Sequence, residues 1–410
     1  MSRTGLMGCT LLTALGLCGA ALAADHPGEK FHYTAATLAK PHATPAVDNT
    51  STDIARPAAA MPEVPKGFAI SIFADKLGNA RWMAVAPNGD VFLAEPDGGK
   101  ITVLRDSKGA GHADQRFTFA TGYNYPHGLA FHGGYLYVGD LRAVWRIPYK
   151  DGQTEAAAPA EKFTRAADLR PKGNHVTRDI AFGPDGALYL AFGSRDNVSD
   201  FKPGAEVFKI DAAGNMSEFA SGIRNPVGIA FYPGSNTLYV STNERDGLGD
   251  DLPPDYFTSV KPGGFYGYPY SYIGKNPDPD WASKAPPGKI ASAIVPDVLF
   301  HAHSAPTGLA FYTGANFPAE YRNDAFVSLH GSWNAGHQTG YKVVRVHFVN
   351  GRPDGGYENF ATGFWPGTDP AGTPAKTWGR PVGLAVAKDG SLLIADDVAN
   401  VVWRVTYTGK

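Results

Sequence analysis

One motif returns six times in this 410-residue chain, and that recurrence limits the fold more than any other feature. The copies are "RWMAVAPNGDVFLAEP" from Arg81, "YPHGLAFHGGYLYVGD" from Tyr125, "TRDIAFGPDGALYLAFG" from Thr177, "RNPVGIAFYPGSNTLYVST" from Arg224, "APTGLAFYTG" from Ala305 and "GRPVGLAVAKDGSLLIADD" from Gly379. Each holds a small residue or its equivalent (Ala84, Gly128, Asp179, Gly228, Gly308, Gly383), then alternating apolar positions, a turn and a second alternating run. Asn88-Gly89, Gly133-Gly134, Asp185-Gly186 and Asp389-Gly390 are dipeptides that reach φ > 0 hairpin geometry at low cost. The spacings are 44, 51, 49, 80 and 75 residues. The first three suit one four-stranded unit each, and the last two require insertions. A β-meander of this length cannot bury both faces alone, so the repeat predicts an all-β, six-bladed β-propeller of four-stranded antiparallel blades. "FAISIFA" at 68–74 and "NVVWRVTY" at 400–407 are positioned to pair and seal the ring. An array of β-sandwiches does not explain a sixfold recurrence.

The ends divide differently. Residues 1–23 read as a signal peptide: Arg3, a short apolar run and an A-x-A site at Ala21-Leu22-Ala23. This predicts a periplasmic or secreted protein. Loss of Arg3 takes the formal charge from −2 to −3. Both cysteines, Cys9 and Cys18, fall in that segment, so no disulfide is expected in the folded part. No other apolar run is long enough to span a bilayer, and the near-neutral charge gives no bulk attraction to nucleic acid. Residues 24–62, rich in Ala, Pro and Thr, read as a flexible or extended arm, and the propeller occupies 63–410.

In a propeller the innermost strand of each blade begins at one mouth of the central channel. Read at that point, the copies supply His127, His175 and Arg178, Arg224 and Asn225, His303 and Arg380, with His330 after the following strand of the fifth copy. This predicts a cationic, imidazole-rich mouth on an acidic chain, which would focus an anion. Arg224 and Arg380 both flank a turn with proline, where a guanidinium fork suits a carboxylate. His175 is a candidate general base with a pKa near neutral. Arg178 beside Asp179 reads as a structural ion pair, and His127 as a strand cap. His337 and His347 read as surface residues.

After the fourth copy the chain runs into "NERDGLGDDLPPD", an acidic, glycine-bearing loop on the same mouth. Calcium takes about six to eight oxygens, and carbonyls serve as well as carboxylates. The loop lacks the D-x-D-x-D-G spacing of an EF-hand, so a solvated acidic turn explains it equally well.

These residues resemble a known family. "SGIRNPVGIAF", "NERDGLGDDLPPDYFTSVKPGGFYGYP", "HSAPTGLAFYTG", "LHGSWN" and "GYKVVRVHF" are similar to the soluble PQQ-dependent glucose/sorbosone dehydrogenases, over roughly residues 63–407. The resemblance implies a six-bladed propeller that oxidises an aldose or a sugar aldehyde at C1 and passes electrons to an external acceptor. It implies pyrroloquinoline quinone (PQQ), a tricarboxylate, held with calcium at the channel mouth. By position it implies His175 as the base that takes the C1 hydroxyl proton, and Arg224 as the group that stabilises a developing oxyanion. Asn225, Asn243, His303, His330 and Arg380 fall at cofactor-contacting positions, and the backbone carbonyls of Glu244 and Arg245 at calcium-ligand positions. Ser194, His330 and His303 stand where glucose-specific members carry aspartate, lysine and threonine, which points to a sorbosone-like or broad aldose substrate. There is no C-x-x-C-H, hence no covalently attached haem c; a homodimer is compatible with the family. Two other readings stay open. A calcium-dependent lactonase would want several acids converging on one metal. A non-catalytic propeller that binds a partner would need no anion-binding ring.

Overall fold

The computed structural model describes residues 24–166, 169, 175–370 and 372–409. The expected signal peptide and both cysteines lie outside the described residues. No α-helix occurs among the described residues, and no helix is long and apolar enough to cross a membrane.

Six antiparallel sheets form six blades around a ring. Blade 1 comprises Trp82–Val85, Val91–Glu95, Lys100–Arg105 and Gln115–Thr121. Blade 2 comprises Leu129–His132, Tyr135–Gly139, Val144–Pro148 and Glu161–Lys162. Blade 3 is built from Ile180–Phe182, Leu188–Phe192, Glu206–Ile210 and Met216–Ser221, with a fifth, parallel strand at Gly264–Phe265. Blade 4 is Asn225–Phe231, Leu238–Asn243, Pro254–Val260 and Val298–Ala302. Blade 5 is Pro306–Phe311, Ala325–Leu329, Lys342–Val346 and Tyr357–Ala361. The sixth takes Pro381–Val386, Leu392–Asp396 and Val401–Tyr407, and its outer strand is Phe68–Ala74 from the start of the propeller. Phe68 pairs with Tyr407 and Ile72 with Trp403, so the two chain ends seal the last blade as expected.

The small residue of each repeat has a physical cause. It lies on the inner strand where neighbouring blades touch. A Cβ on Gly228 would strike Thr307 O, one on Gly308 would strike Val382 O, and one on Gly383 would strike Arg81 O. These three glycines sit at bulges in the inner strands, between Pro226 and Ile229, Pro306 and Leu309, and Pro381 and Leu384. Asp179 takes this place in the third copy, and its carboxylate accepts the amide of Ile229 in the next blade at 2.9 Å. Between the blades lie apolar layers, such as Phe92, Phe119 and Leu136 between blades 1 and 2.

The arm is extended and packed. Lys30–Phe31 adds an edge strand to blade 5, and Thr52–Asp53 pairs in parallel with Lys376–Thr377. Between these points it crosses the loops of one mouth: His42 N donates to Leu248 O, Asn49 N to Trp333 O, and Asn49 Nδ2 to Ala335 O.

Candidate active site

The strand ends of blades 3, 4 and 5 meet at that mouth around a cavity of about 270 Å³. Its walls include His175, Arg224, Asn225, Asn243 and His303. Glu244, Asp246, Asp255, Trp333 and Asn334 also line it. The sequence singled out six of these ten: His175, Arg224, Asn225, Asn243, Glu244 and His303.

His175 lies just ahead of the inner strand of blade 3. Its Nδ1 is 2.7 Å from the Ser194 carbonyl, which can only accept, so Nδ1 carries the proton and Nε2 keeps its lone pair. Burial, and then the Arg224 guanidinium, push its pKa down to about 3. The imidazole is therefore neutral at pH 7, well below the near-neutral value expected from sequence. Gly193 makes the close approach possible: a Cβ there would fall 2.6 Å from His175 Cβ and would collide with Asn225 Oδ1.

Arg224 is held on every side. Nε donates to Asn197 O, Nη1 to Glu244 O at 2.6 Å, and Nη2 to Asn197 Oδ1 and Asp246 Oδ2. Asn225 Nδ2 donates to Asn243 Oδ1 at 3.4 Å, while Asn225 Oδ1 is buried with no partner. His303 sits at φ 62° in a tight exit from blade 4, and its Nε2 bonds Gly249 O. Asn334 Nδ2 donates to Asp246 Oδ1. Trp333 is 45% exposed at the rim, an aromatic face open to solvent.

The expected cationic mouth needs correction. Three carboxyl groups, Glu244, Asp246 and Asp255, line the cavity with Arg224. Burial raises Glu244 to about 7 and Asp255 to about 8. Glu244 Oε1 is buried with no partner, whereas Asp255 accepts the amides of Glu244 and Ala305. The acids were visible in "NERDGLGDDLPPD", but sequence placed them in a loop. Asp255 in fact belongs to the third strand of blade 4, which folds back under the cavity.

His330 and Arg380 are not brought to this cavity. His330 Nε2 is 3.0 Å from Asp397, and Arg81 pairs with the same carboxylate. Despite burial, the charges of His330 and Arg81 hold Asp397 well below the usual carboxylate range. Arg380 donates to the carbonyls of His330 and Gly331. Arg245, expected to offer its backbone carbonyl, has its side chain paired with Asp278 at 2.6 Å. Arg178 and Asp179 are not paired with each other. Arg178 donates to Leu169 O and stacks over Phe192, while the Asp179 carboxylate accepts the amides of Ile180 and Ile229. His127 does not cap a strand: it is buried against Trp82, ring centroids 3.6 Å apart.

Glu244, Asp246, Asp255 and Asn243 give this wall an oxygen-rich lining, the donor chemistry that a hard cation such as calcium takes. An ion on the Glu244 carbonyl would share it with Arg224. The buried Arg224 guanidinium on the cavity wall fits an anionic group of a cofactor, and the unpartnered Asn225 amide oxygen offers an acceptor to a cofactor N–H.

Comparison with known proteins agrees with this architecture. A family model described as glucose/sorbosone dehydrogenase matches residues 139–333, and one described as TrAA12-like matches 289–408. An uncharacterized protein of Borreliella burgdorferi is 30% identical over 361 residues, covering 84% of this chain and 90% of that protein. A pyrroloquinoline quinone-dependent pyranose dehydrogenase of Coprinopsis cinerea is 29% identical over 242 residues, which span 54% of this chain and 27% of that protein. Among solved structures, the holo PQQ domain of the Coprinopsis cinerea pyranose dehydrogenase superposes with a TM-score of 0.71 at 18% identity, covering 87% of this chain and 100% of that one. The PQQ-bound aldose sugar dehydrogenase of Streptomyces coelicolor gives 0.58 at 18% identity, covering 84% and 99%. At these identities the structural likeness establishes the propeller.

Proposed function

This chain belongs to the glucose/sorbosone dehydrogenase family, and we propose that it is a PQQ-dependent dehydrogenase that oxidises an aldose or sugar aldehyde at C1. The observation that carries this reading is the pairing of a neutral, tautomer-fixed His175 with a fully tethered Arg224 in one cavity. PQQ, when bound, supplies an o-quinone that accepts two electrons from the sugar, to be passed on to an external acceptor.

The chain supplies the rest. His175 Nε2 removes the proton from the reacting hydroxyl. Its low pKa keeps the base form available. The Ser194 carbonyl holds the ring on Nδ1 and fixes its orientation. Arg224 offers a preorganised positive charge that needs no rearrangement during reaction, because four hydrogen bonds already fix the guanidinium. Asn225 and Asn243 offer amides to cofactor edges, and His303 closes the wall. Trp333 provides a face on which a sugar ring stacks at the rim. The backbone carbonyls of Glu244 and Arg245, beside the acidic wall of the cavity, would hold calcium. Export to the periplasm or medium belongs to the same proposal, as does the choice of a sorbosone-like or broad aldose substrate.

The test is reconstitution of the purified protein with PQQ and calcium, followed by dye reduction across an aldose panel that includes sorbosone, with and without EDTA. Saturable, calcium-dependent turnover is the expected result. A folded protein that binds no PQQ would remove the proposal.

One observation favours a second reading. The same acids and amides would suit a calcium-dependent lactonase, in which a metal-held water attacks a lactone. Lactone hydrolysis without PQQ is the result that would select it.

A further inference from the structure

Three segments that wall the cavity continue into a second cluster of metal-ligand side chains. The loop after Asn243 carries Asp246 at the cavity and Asp251 beyond it. The outer strand of blade 4 carries His301, two residues before His303. The loop after blade 5's second strand carries Trp333 and Asn334, then His337. Asp251, His301 and His337 meet, with their ligand atoms all within 4.8 Å of one another. Asp251 Oδ1 is 3.6 Å from His301 Nε2 and 3.8 Å from His337 Nε2. This is the one such group among the described residues.

The geometry around His301 matches that of a ligand. An imidazole that binds metal through one nitrogen needs its other N–H held, and His301 Nδ1 donates to the Ala302 carbonyl at 3.0 Å. Nε2 is left to face Asp251. The arm's Tyr33 packs edge-on against His301, ring centroids 5.7 Å apart. A separate cavity of about 260 Å³, between arm residues Tyr33–Ala39 and Phe300–Ala302, opens on Asp251 and His301 and gives an ion a path in.

We propose that Asp251, His301 and His337 bind one zinc-class divalent ion, with water as a fourth ligand, and that this ion staples together the two loops and the strand end that wall the active cavity. Two imidazoles and a carboxylate suit zinc and its neighbours, whereas calcium takes oxygens alone. Ligand atoms about 2.0–2.2 Å from a tetrahedral zinc lie roughly 3.3 Å apart, so the observed spacing closes with small side-chain rotations. The site is separate from the oxygen-lined cavity and takes a different metal. The described residues contain no cysteine, so no disulfide among them pins these segments.

The test is titration of the chelator-stripped full chain with zinc chloride by calorimetry, and with cobalt chloride by visible absorption. One equivalent of zinc, a tetrahedral cobalt spectrum and a metal-dependent rise in Tm are expected. His337→Gln, at a half-buried position, and Asp251→Asn, at an exposed one, should each weaken zinc binding at least tenfold and abolish the rise in Tm. Absence of a stoichiometric site in the wild type would overturn the proposal. So would wild-type zinc affinity in both variants.

Discussion

At the scale of single residues, the site is governed by burial acting on charge. His175 is neutral because it is buried beside a guanidinium, and only its Nε2 can accept a proton. His175→Gln should therefore retain PQQ affinity but lose turnover by about 10²–10⁴, the range for removal of a general base. Steady-state dye reduction with cofactor saturating checks this, and near-wild-type turnover would contradict it. Glu244 carries a stability signature. Its folded pKa, near 7, lies above the ordinary 4.5, so the folded state holds a proton that the unfolded state gives up. The resulting stability is present below about pH 4.5 and is lost as pH rises through 7. In EDTA, denaturant unfolding at pH 5 and pH 8 should show the wild type losing about 3 kcal/mol more than Glu244→Gln across that interval. Parallel losses would mean that Glu244 is solvated.

At the scale of elements, the ring is held by close contacts between inner strands. Gly308 meets the Val382 carbonyl of the next blade with no room for a methyl group. Gly308→Ala should cost about 1–3 kcal/mol or more, read as a lowered denaturation midpoint; an unchanged midpoint would show that the blades can separate freely. The arm is a second structural element of the mouth. Asn49 is buried and ties the arm to the Trp333–Ala335 loop through its amide and backbone. Asn49→Ala should cost about 1–3 kcal/mol for the unpaired Ala335 carbonyl, and should raise KM for the sugar more than it lowers kcat. An unchanged KM in the variant would place the arm outside substrate recognition. The blades were legible in sequence because each hairpin repeats the same alternation and turn chemistry. The arm's path was not, since its strand pairings at Lys30–Phe31 and Thr52–Asp53 are backbone hydrogen bonds, which composition does not encode.

At the scale of the whole molecule, the propeller brings together residues that are distant in sequence. Repeat position alone led to His175, Arg224, Asn225 and His303, because inner strands start at the mouth. Arg380, at the equivalent place in the last copy, and His330, after the next strand of the fifth, lie outside this cavity's lining and contact local carbonyls and Asp397. Repeat position also missed Asp246, Asp255, Trp333 and Asn334, which arrive on blade returns and insertions that no periodicity marks. The account rests on one claim: this mouth binds PQQ beside a working base. The direct measurement is anaerobic rapid mixing of the PQQ- and calcium-loaded protein with excess aldose, following the cofactor's absorbance through a single turnover. The account predicts rapid bleaching of the oxidised cofactor in the wild type and bleaching slowed at least a hundredfold in His175→Gln. Equal rates in the two proteins, or no absorbance change in either, would contradict it.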